Sequence, residues 1–536
     1  MLFPASIHFA DDGTFKRSWG RVTRGPSGTN VTEMVSEVSL LLTAGRLSKE
    51  NGDIIETACS SEPDDGAKYR CIQQLTMSSA EFHTTNTMEK SGEDRTVNNV
   101  SEGTNSTYKA VVYLYLAGGA DTYHLLAPHT CAPIDVYSRF RAIRGKNSLS
   151  EGIGLKREEM LVIDGNNADQ PCSQFGIHPN LPILHELYNA GHATLVSNAG
   201  LLAQPVDVTN YRGNMGSVQL FAHNDMTSET MKEDIFQEYA GTGVQGRIAD
   251  VLANKGMTVN VFSISGSPEV NVVEAGSGVQ SQTISSGGLA DFNKNPSIAD
   301  MNDVILALNN ATKKDTGFFA ETFASKFTDA IKSHEKLQQE LSSVDLGTTF
   351  PSGGLASQFG MVAKIMKTAA SRNVERDLFY VSQGGYDTHS NMQTNVANRF
   401  IELNAALDAF VTEVRDVQGI WDHVTVVQFS EFARTLDPNS GDGSDHGWGG
   451  NHFQMGGSLN GGKVRGEFPS DFQVRSNNTI GLSRGRMIPT YPWDAMWRAV
   501  AEWFGIDDGP EMDKVLPMHM NFPGKTYSAA ELYNSP

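Results

Sequence analysis

The chain alternates short apolar runs with amphipathic stretches. Residues 108–116 (YKAVVYLYL), 194–198, 259–265, 377–382 and 424–429 (VTVVQF) are rich in β-branched and aromatic side chains. Largely unbroken runs of this kind suit strands buried on both faces of a sheet. Between them lie segments with apolar positions three and four apart, over 179–192, 229–239, 247–255, 300–309, 322–344, 355–370, 395–418 and 493–504. These predict helices that each bury one stripe. The β/α order predicts an α/β fold with a central, mostly parallel sheet and helices on both faces. Residues 1–105 break the pattern, because Ser, Thr, Gly, Asn and charge dominate there. They read as a poorly ordered extension with one helix near 32–47, ahead of a single domain over 106–530. A second low-complexity stretch, rich in Gly and Ser, spans 265–295.

Three of the apolar runs stop abruptly, two of them at paired glycines and one at Ser430-Glu431, and then offer metal-binding side chains. After 108–116 comes AGGAD, with Asp121 followed by Tyr123, His124 and His129. The run at 377–382 ends in QGGYDTH, where Asp387 and His389 stand two apart. The run at 424–429 opens a loop holding Glu431, Asp442, Asp445, His446 and His452. Open α/β sheets bind ligands outside the carboxyl ends of their strands, and carboxylates with imidazoles are the donors a divalent cation needs. A single Gly-Asp turn would be only a turn. Three together predict one composite site.

Several segments carry a family resemblance: AGGADTYHLLAPH, FGIHPNL (175–181), LFAHND (220–225), GGYDTH, SEFART, SDHGWGGNHFQMGGSLNGG and RMIPTYPWDAMWRAVAEWFGI (486–506). They resemble the family of unknown function 1501 (DUF1501), which is similar to the sulfatase and alkaline phosphatase superfamily. The resemblance implies an alkaline-phosphatase-like sheet, a divalent metal (Zn, Mg, Ca or Mn) and hydrolysis of an anionic phosphate or sulfate ester. It implies a two-metal shell drawn from Asp121, Asp387, His389, Glu431, Asp445, His446 and His452, although Asp445 can equally cap the glycine-rich turn. His223 is implied as ligand or general acid, the alternative being a helix-capping cluster with Asn224 or Asp225. Arg434 is implied to hold an ester oxygen, the alternative being a structural ion pair. His178 reads as structural, and Trp448 as exposed at the pocket mouth. Where relatives carry a Ser nucleophile, this sequence has Ala222. That leaves open a non-catalytic metal- or polysaccharide-binding protein that keeps the fold.

Composition narrows the partners. The chain has 536 residues and a net charge of -20, from 62 acidic and 42 basic side chains. A nucleic-acid partner is therefore not expected, and no apolar run is long enough to predict a membrane span. Cys131 and Cys172 flank one loop and either pair or stand as free thiols, while Cys59 and Cys71 lack metal-site spacing. The opening residues turn acidic too early to read as a secretory signal. Sequons at Asn30, Asn99, Asn105, Asn310 and Asn477 permit glycosylation, although several such matches arise by chance in a chain this polar,. The compartment stays open, with a secreted or extracytoplasmic setting weakly favoured.

Overall fold

The computed structural model describes residues 8–9, 15–17, 20–22, 30–93, 103–145, 151–167, 169–236, 241–274, 277–279, 281–288, 300–313 and 317–534. The chain divides into two compact units, one of residues 1–100 with 289–342 and the other of 101–288 with 343–536.

The larger unit is built on a nine-stranded sheet. In chain order its strands are β1 (Lys109–Leu116), β2 (Ala193–Gly200), β3 (Val259–Ser263), β4 (Ser281–Thr283), β5 (Arg376–Gln383), β6 (Val424–Phe429), β7 (Gly450–Gly456), β8 (Val464–Gly466) and β9 (Tyr491–Pro492). They lie in the order β4-β3-β5-β1-β6-β7-β2-β8, with β9 paired to β2. Only β7 runs antiparallel to its neighbours β6 and β2. The sheet is thus mostly parallel with helices around it, as the β/α alternation predicts. Strands β1, β5 and β6 are adjacent and parallel, in the register Tyr380↔Tyr113 and Val427↔Tyr113. Their carboxyl ends, with the loops that carry Asp121, Asp387 and Glu431, therefore emerge side by side.

Aromatic packing fixes this part of the sheet. Tyr113 stacks on Phe429 at 4.6 Å between ring centroids, and Phe429 stacks on Trp497 at 5.4 Å. Trp497 belongs to the helix Asp494–Phe504, which buries Met496, Val500 and Phe504 on the same cluster. A small three-stranded sheet of Leu126–Cys131, Leu161–Asp164 and Cys172–Ile177 follows the first loop. A disulfide joins its Cys131 and Cys172, which settles their two open readings.

The smaller unit corrects the sequence expectation for residues 1–105. Helices Val31–Thr43, Lys49–Cys59 and Asp65–Met77 follow one another, each opened by a side-chain N-cap from Asn30, Ser48 and Asp64. They share a core of Met34, Val38, Ile55, Ile72 and Leu75 with Ile305, Phe323 and Phe327. The last three come from the helices Met301–Leu308 and Phe318–Ser342. A second disulfide, Cys59–Cys71, ties two of the N-terminal helices. The expected boundary at 105/106 fails because eight of the nineteen buried residues of this core arrive more than two hundred residues later in the chain.

Candidate metal centre

Each side chain of the site is delivered by a strand end. Past β5, the turn at Gly384 and Gly385 brings Asp387 and His389 back over the sheet. Tyr386 anchors that turn, its N–H donating to the Ala117 carbonyl and its hydroxyl to Gln383. Past β6, Ser430 donates to the Leu116 carbonyl and accepts from the Ala120 N–H, so the β1 and β6 loops are stitched together. Beyond β2, the helix His223–Lys232 presents His223 from its first turn.

Three imidazoles meet around one carboxylate oxygen. Asp387 Oδ1 lies 2.9 Å from His389 Nε2, 3.4 Å from His446 Nε2 and 3.5 Å from His223 Nε2. The ligand atoms of His223, Asp387 and His446 all fall within 4.8 Å of one another. The opposite nitrogen of every ring is engaged. His223 Nδ1 donates to Glu431 Oε1 at 2.8 Å, His389 Nδ1 to Asp445 Oδ1 at 2.7 Å, and His446 Nδ1 to the Phe221 carbonyl at 2.7 Å. Protons on Nδ1 leave the Nε2 lone pairs aimed at the shared centre. An outer acceptor holding each ligand imidazole is the usual support of a metal site.

The residues fit a cation. His389 Nε2 and His446 Nε2 lie 3.1 Å apart, and with both protons on Nδ1 two lone pairs face each other there. A positive charge between them relieves that repulsion. His223 Nε2 is buried and has no hydrogen-bond partner, another donor waiting for an acceptor of electrons.

Electrostatics prepare the same state in two of the three rings. Burial pushes the pKa of His389 and His446 down, so both rings are neutral near pH 7. The hydrogen bond that His223 donates to Glu431 instead raises the pKa of that ring, toward its charged form. Burial alone would raise Glu431, but His223 and the N–H groups of Gly118 and Gly119 outweigh it and keep the group ionised. Asp387 is likewise held below the usual carboxylate range, because the Arg434 guanidinium at 2.6 Å overcomes burial.

The family model described as "Protein of unknown function (DUF1501)" matches residues 108–480. The chain belongs to the DUF1501 family. No curated protein matches its sequence. Among solved structures it is similar to the lipoteichoic acid synthase LtaP from Listeria monocytogenes, at 8% identity over 70% of this chain and 71% of that one, with a TM-score of 0.26. It is also similar to a Bacteroides thetaiotaomicron protein from a core genetic locus for metabolism of multiple glycosaminoglycans, at 8% identity over 65% and 67%, again with a TM-score of 0.26. Overlaps this loose carry neither site nor activity to the DUF1501 chain.

Not every residue named from the sequence reaches this centre. Asp121 is fully buried, and Arg144 claims both of its oxygens at 2.8 and 2.7 Å. Its neighbour Ser444 Oγ lies 3.4 Å away, so Asp121 is part of a buried ion pair rather than of the imidazole group. His452 sits on β7, buried against Trp493 at 4.6 Å, with Nδ1 3.3 Å from Gln428 and a pKa driven down to about 3 by burial. Glu431 and Asp445 stand one bond outward, as acceptors for His223 and His389. Arg434 is buried, and its donors are spent on Asp387, the Gly118 carbonyl and Ser444. Trp448 is buried and donates to the Leu201 carbonyl, against the expected exposure. His178 accepts from the Asn180 N–H, the structural role expected of it. Sequence reasoning missed two supports. The Phe221 carbonyl carries no side-chain signal, and Phe432, whose ring lies 4.9 Å from both His223 and His446, reads only as core.

Proposed function

We propose that this DUF1501 protein is a metal-dependent hydrolase of phosphate or sulfate esters, centred on one cation held by His223, His389, His446 and Asp387. The observation that carries the reading is the group of His223 Nε2, His446 Nε2 and Asp387 Oδ1 within 4.8 Å of one another, with His389 Nε2 2.9 Å from Asp387 Oδ1 and 3.1 Å from His446 Nε2 and every Nδ1 bonded outward. Three imidazoles with one carboxylate suit zinc or manganese better than magnesium or calcium, which favour all-oxygen shells. A bound divalent cation supplies Lewis acidity toward an ester oxygen and lowers the pKa of water toward neutrality. The remaining work belongs to the chain. Glu431, Asp445 and the Phe221 carbonyl orient the three rings, and Arg434 orients Asp387. Ala222 caps the His223 helix without a side-chain oxygen, so its first N–H groups favour a non-bridging oxygen of an anionic ester. Ala222 offers no hydroxyl for the covalent role, which favours water as the attacking group.

Metal analysis of the purified chain, with a screen of aryl phosphates and aryl sulfates, tests this. About one cation per chain together with turnover is the expected result. Ala222 specifically favours a second reading, a protein that binds metal without hydrolysis. Stoichiometric metal with no turnover on either ester class would select it. Two disulfides support an oxidising compartment, and no described helix is long and apolar enough to cross a membrane.

A further inference from the structure

Two neighbouring cavities flank edge strand β8, and none of their lining residues belongs to the metal centre. One has a volume of about 600 Å³ and the other about 500 Å³, and they share Asn166 and Lys463. Each is in the size range of small-ligand sites, and the shared residues make them one groove. The strand beside it is closed to pairing by another chain, because Gln170 Nε2 donates to the carbonyls of Val464 and Gly466. The groove is therefore a place for side-chain recognition.

The cations are concentrated in the larger cavity. In a chain of net charge -20, Lys463, Arg465 and Lys525 converge there against the two acids Asp169 and Glu467, while Asp164 lines the smaller cavity. Two of them are fixed by aromatic rings: Lys525 Nζ lies 4.5 Å from the Tyr491 ring centre and the Arg465 guanidinium 5.1 Å from that of Tyr527. Tyr491 and Tyr527 stack in turn at 6.0 Å with planes 10° apart, so the four groups form one rigid ladder. Arg465 is buried, donates Nη2 to the Asn460 and Glu531 carbonyls, and leaves Nε without a partner. A buried cationic donor that lacks an acceptor costs free energy until an anion supplies one. Lys525 is paired only loosely with Glu467, at 3.6 Å. Asn166 and Asn167 add amides along the rim, each Nδ2 spending one donor on a backbone carbonyl, of Gly462 and Val464, and retaining a second that can bond to a hydroxyl.

We infer that this groove binds a segment of an anionic polysaccharide, its sulfate or carboxylate groups meeting Lys463, Arg465 and Lys525 and its hydroxyls meeting Asn166 and Asn167. Two joined cavities, a polar lining and fixed cations suit a chain of sugars better than a lone anion. The assignment stands independently of what the metal centre does.

Calorimetry of the full chain in low salt tests it against four probes: a sulfated glycosaminoglycan tetrasaccharide, a tetragalacturonate, a neutral cello-tetraose and inorganic sulfate. Binding of at least one anionic tetrasaccharide is expected, weakening as salt is raised. Lys463→Ala with Lys525→Ala, both partly exposed, should lower that affinity at least tenfold with metal content unchanged. Glu467→Gln, which frees Lys525, should raise it. The inference is overturned if neither anionic tetrasaccharide binds, if cello-tetraose or inorganic sulfate binds as tightly, or if the double variant binds like the unchanged protein.

Discussion

At the scale of single residues, the three imidazoles depend on groups that never touch the centre. Removing the acceptor of one Nδ1 frees that ring to turn and lets its proton exchange between nitrogens. Asp445→Ala should therefore weaken metal affinity by about 10–100-fold, whereas His446→Ala should abolish stoichiometric binding. Equal affinity for Asp445→Ala and the unchanged chain, measured by competition with a chelator, would refute the assigned support. Two acids far from the centre make opposite pH predictions. Burial pushes Glu375 up, but hydrogen bonds from Thr258, Thr104 and Ser106 prevail and hold it at about 2. Its stabilisation is complete above its ordinary pKa and is lost as pH falls from about 4.5 through about 2,. Asp494 is the reverse case: burial lifts it to about 7, and neither carboxylate oxygen has a partner. Its unfolded form ionises first, so stability is fully present below about 3.8 and is lost as pH rises through about 7,. Asp494→Asn should thus raise the melting temperature at pH 8 and change it little at pH 3.5. A gain of equal size at both pH values would show that the effect is not ionisation.

At the scale of elements, the strand ends were legible and their contents only partly so. Apolar runs that stop at glycine marked β1 and β5, and one that stops at Ser430-Glu431 marked β6, because a doubly buried strand needs uniform apolar residues and its exit breaks that pattern. Asp121 shares that signal with Asp387. Nothing in the sequence shows that Arg144, 23 positions on, folds back to claim both of its oxygens. His452 was misplaced for a different reason: it lies inside β7, so strand alternation points it into the core at Trp493 rather than toward the loop. The glycines themselves can be tested. Gly118 has φ +115°, and a Cβ there would lie 2.5 Å from the Asp387 nitrogen. Gly443 packs so closely that a Cβ would fall on the His389 carbonyl. Gly118→Ala and Gly443→Ala should each push a ligand-bearing turn outward and lower metal affinity by about tenfold or more, as loss of an outer support does. Gly353→Ala serves as a control, since its φ of +151° is equally unusual and a Cβ would meet nothing within 4 Å. If the control loses metal to the same degree, backbone strain and not proximity is responsible.

At the scale of the whole molecule, what the sequence hid was the assembly of the smaller unit. Short helices with few apolar residues look unfoldable alone, and here their core is completed by Ile305, Phe323 and Phe327 from a late insertion. The division has a functional consequence, because His223, Asp387, His389 and His446 all belong to the larger unit. Each unit also carries its own disulfide. Closing the 12-residue separation of Cys59 and Cys71 stabilises by about 3 kcal/mol through the unfolded chain, and the 41-residue separation of Cys131 and Cys172 by about 4 kcal/mol. A Cys59→Ser, Cys71→Ser variant should therefore loosen residues 31–91 and 300–342 first, seen as new proteolytic cuts there. Its metal content should stay at the level of the unchanged chain. The corresponding Cys131→Ser, Cys172→Ser variant should instead lower the melting temperature of the metal-holding unit, since that disulfide ties the small sheet that follows the Asp121 loop. If the first variant loses its metal as its helices open, the two units are not energetically separate, and the smaller one takes part in holding the centre.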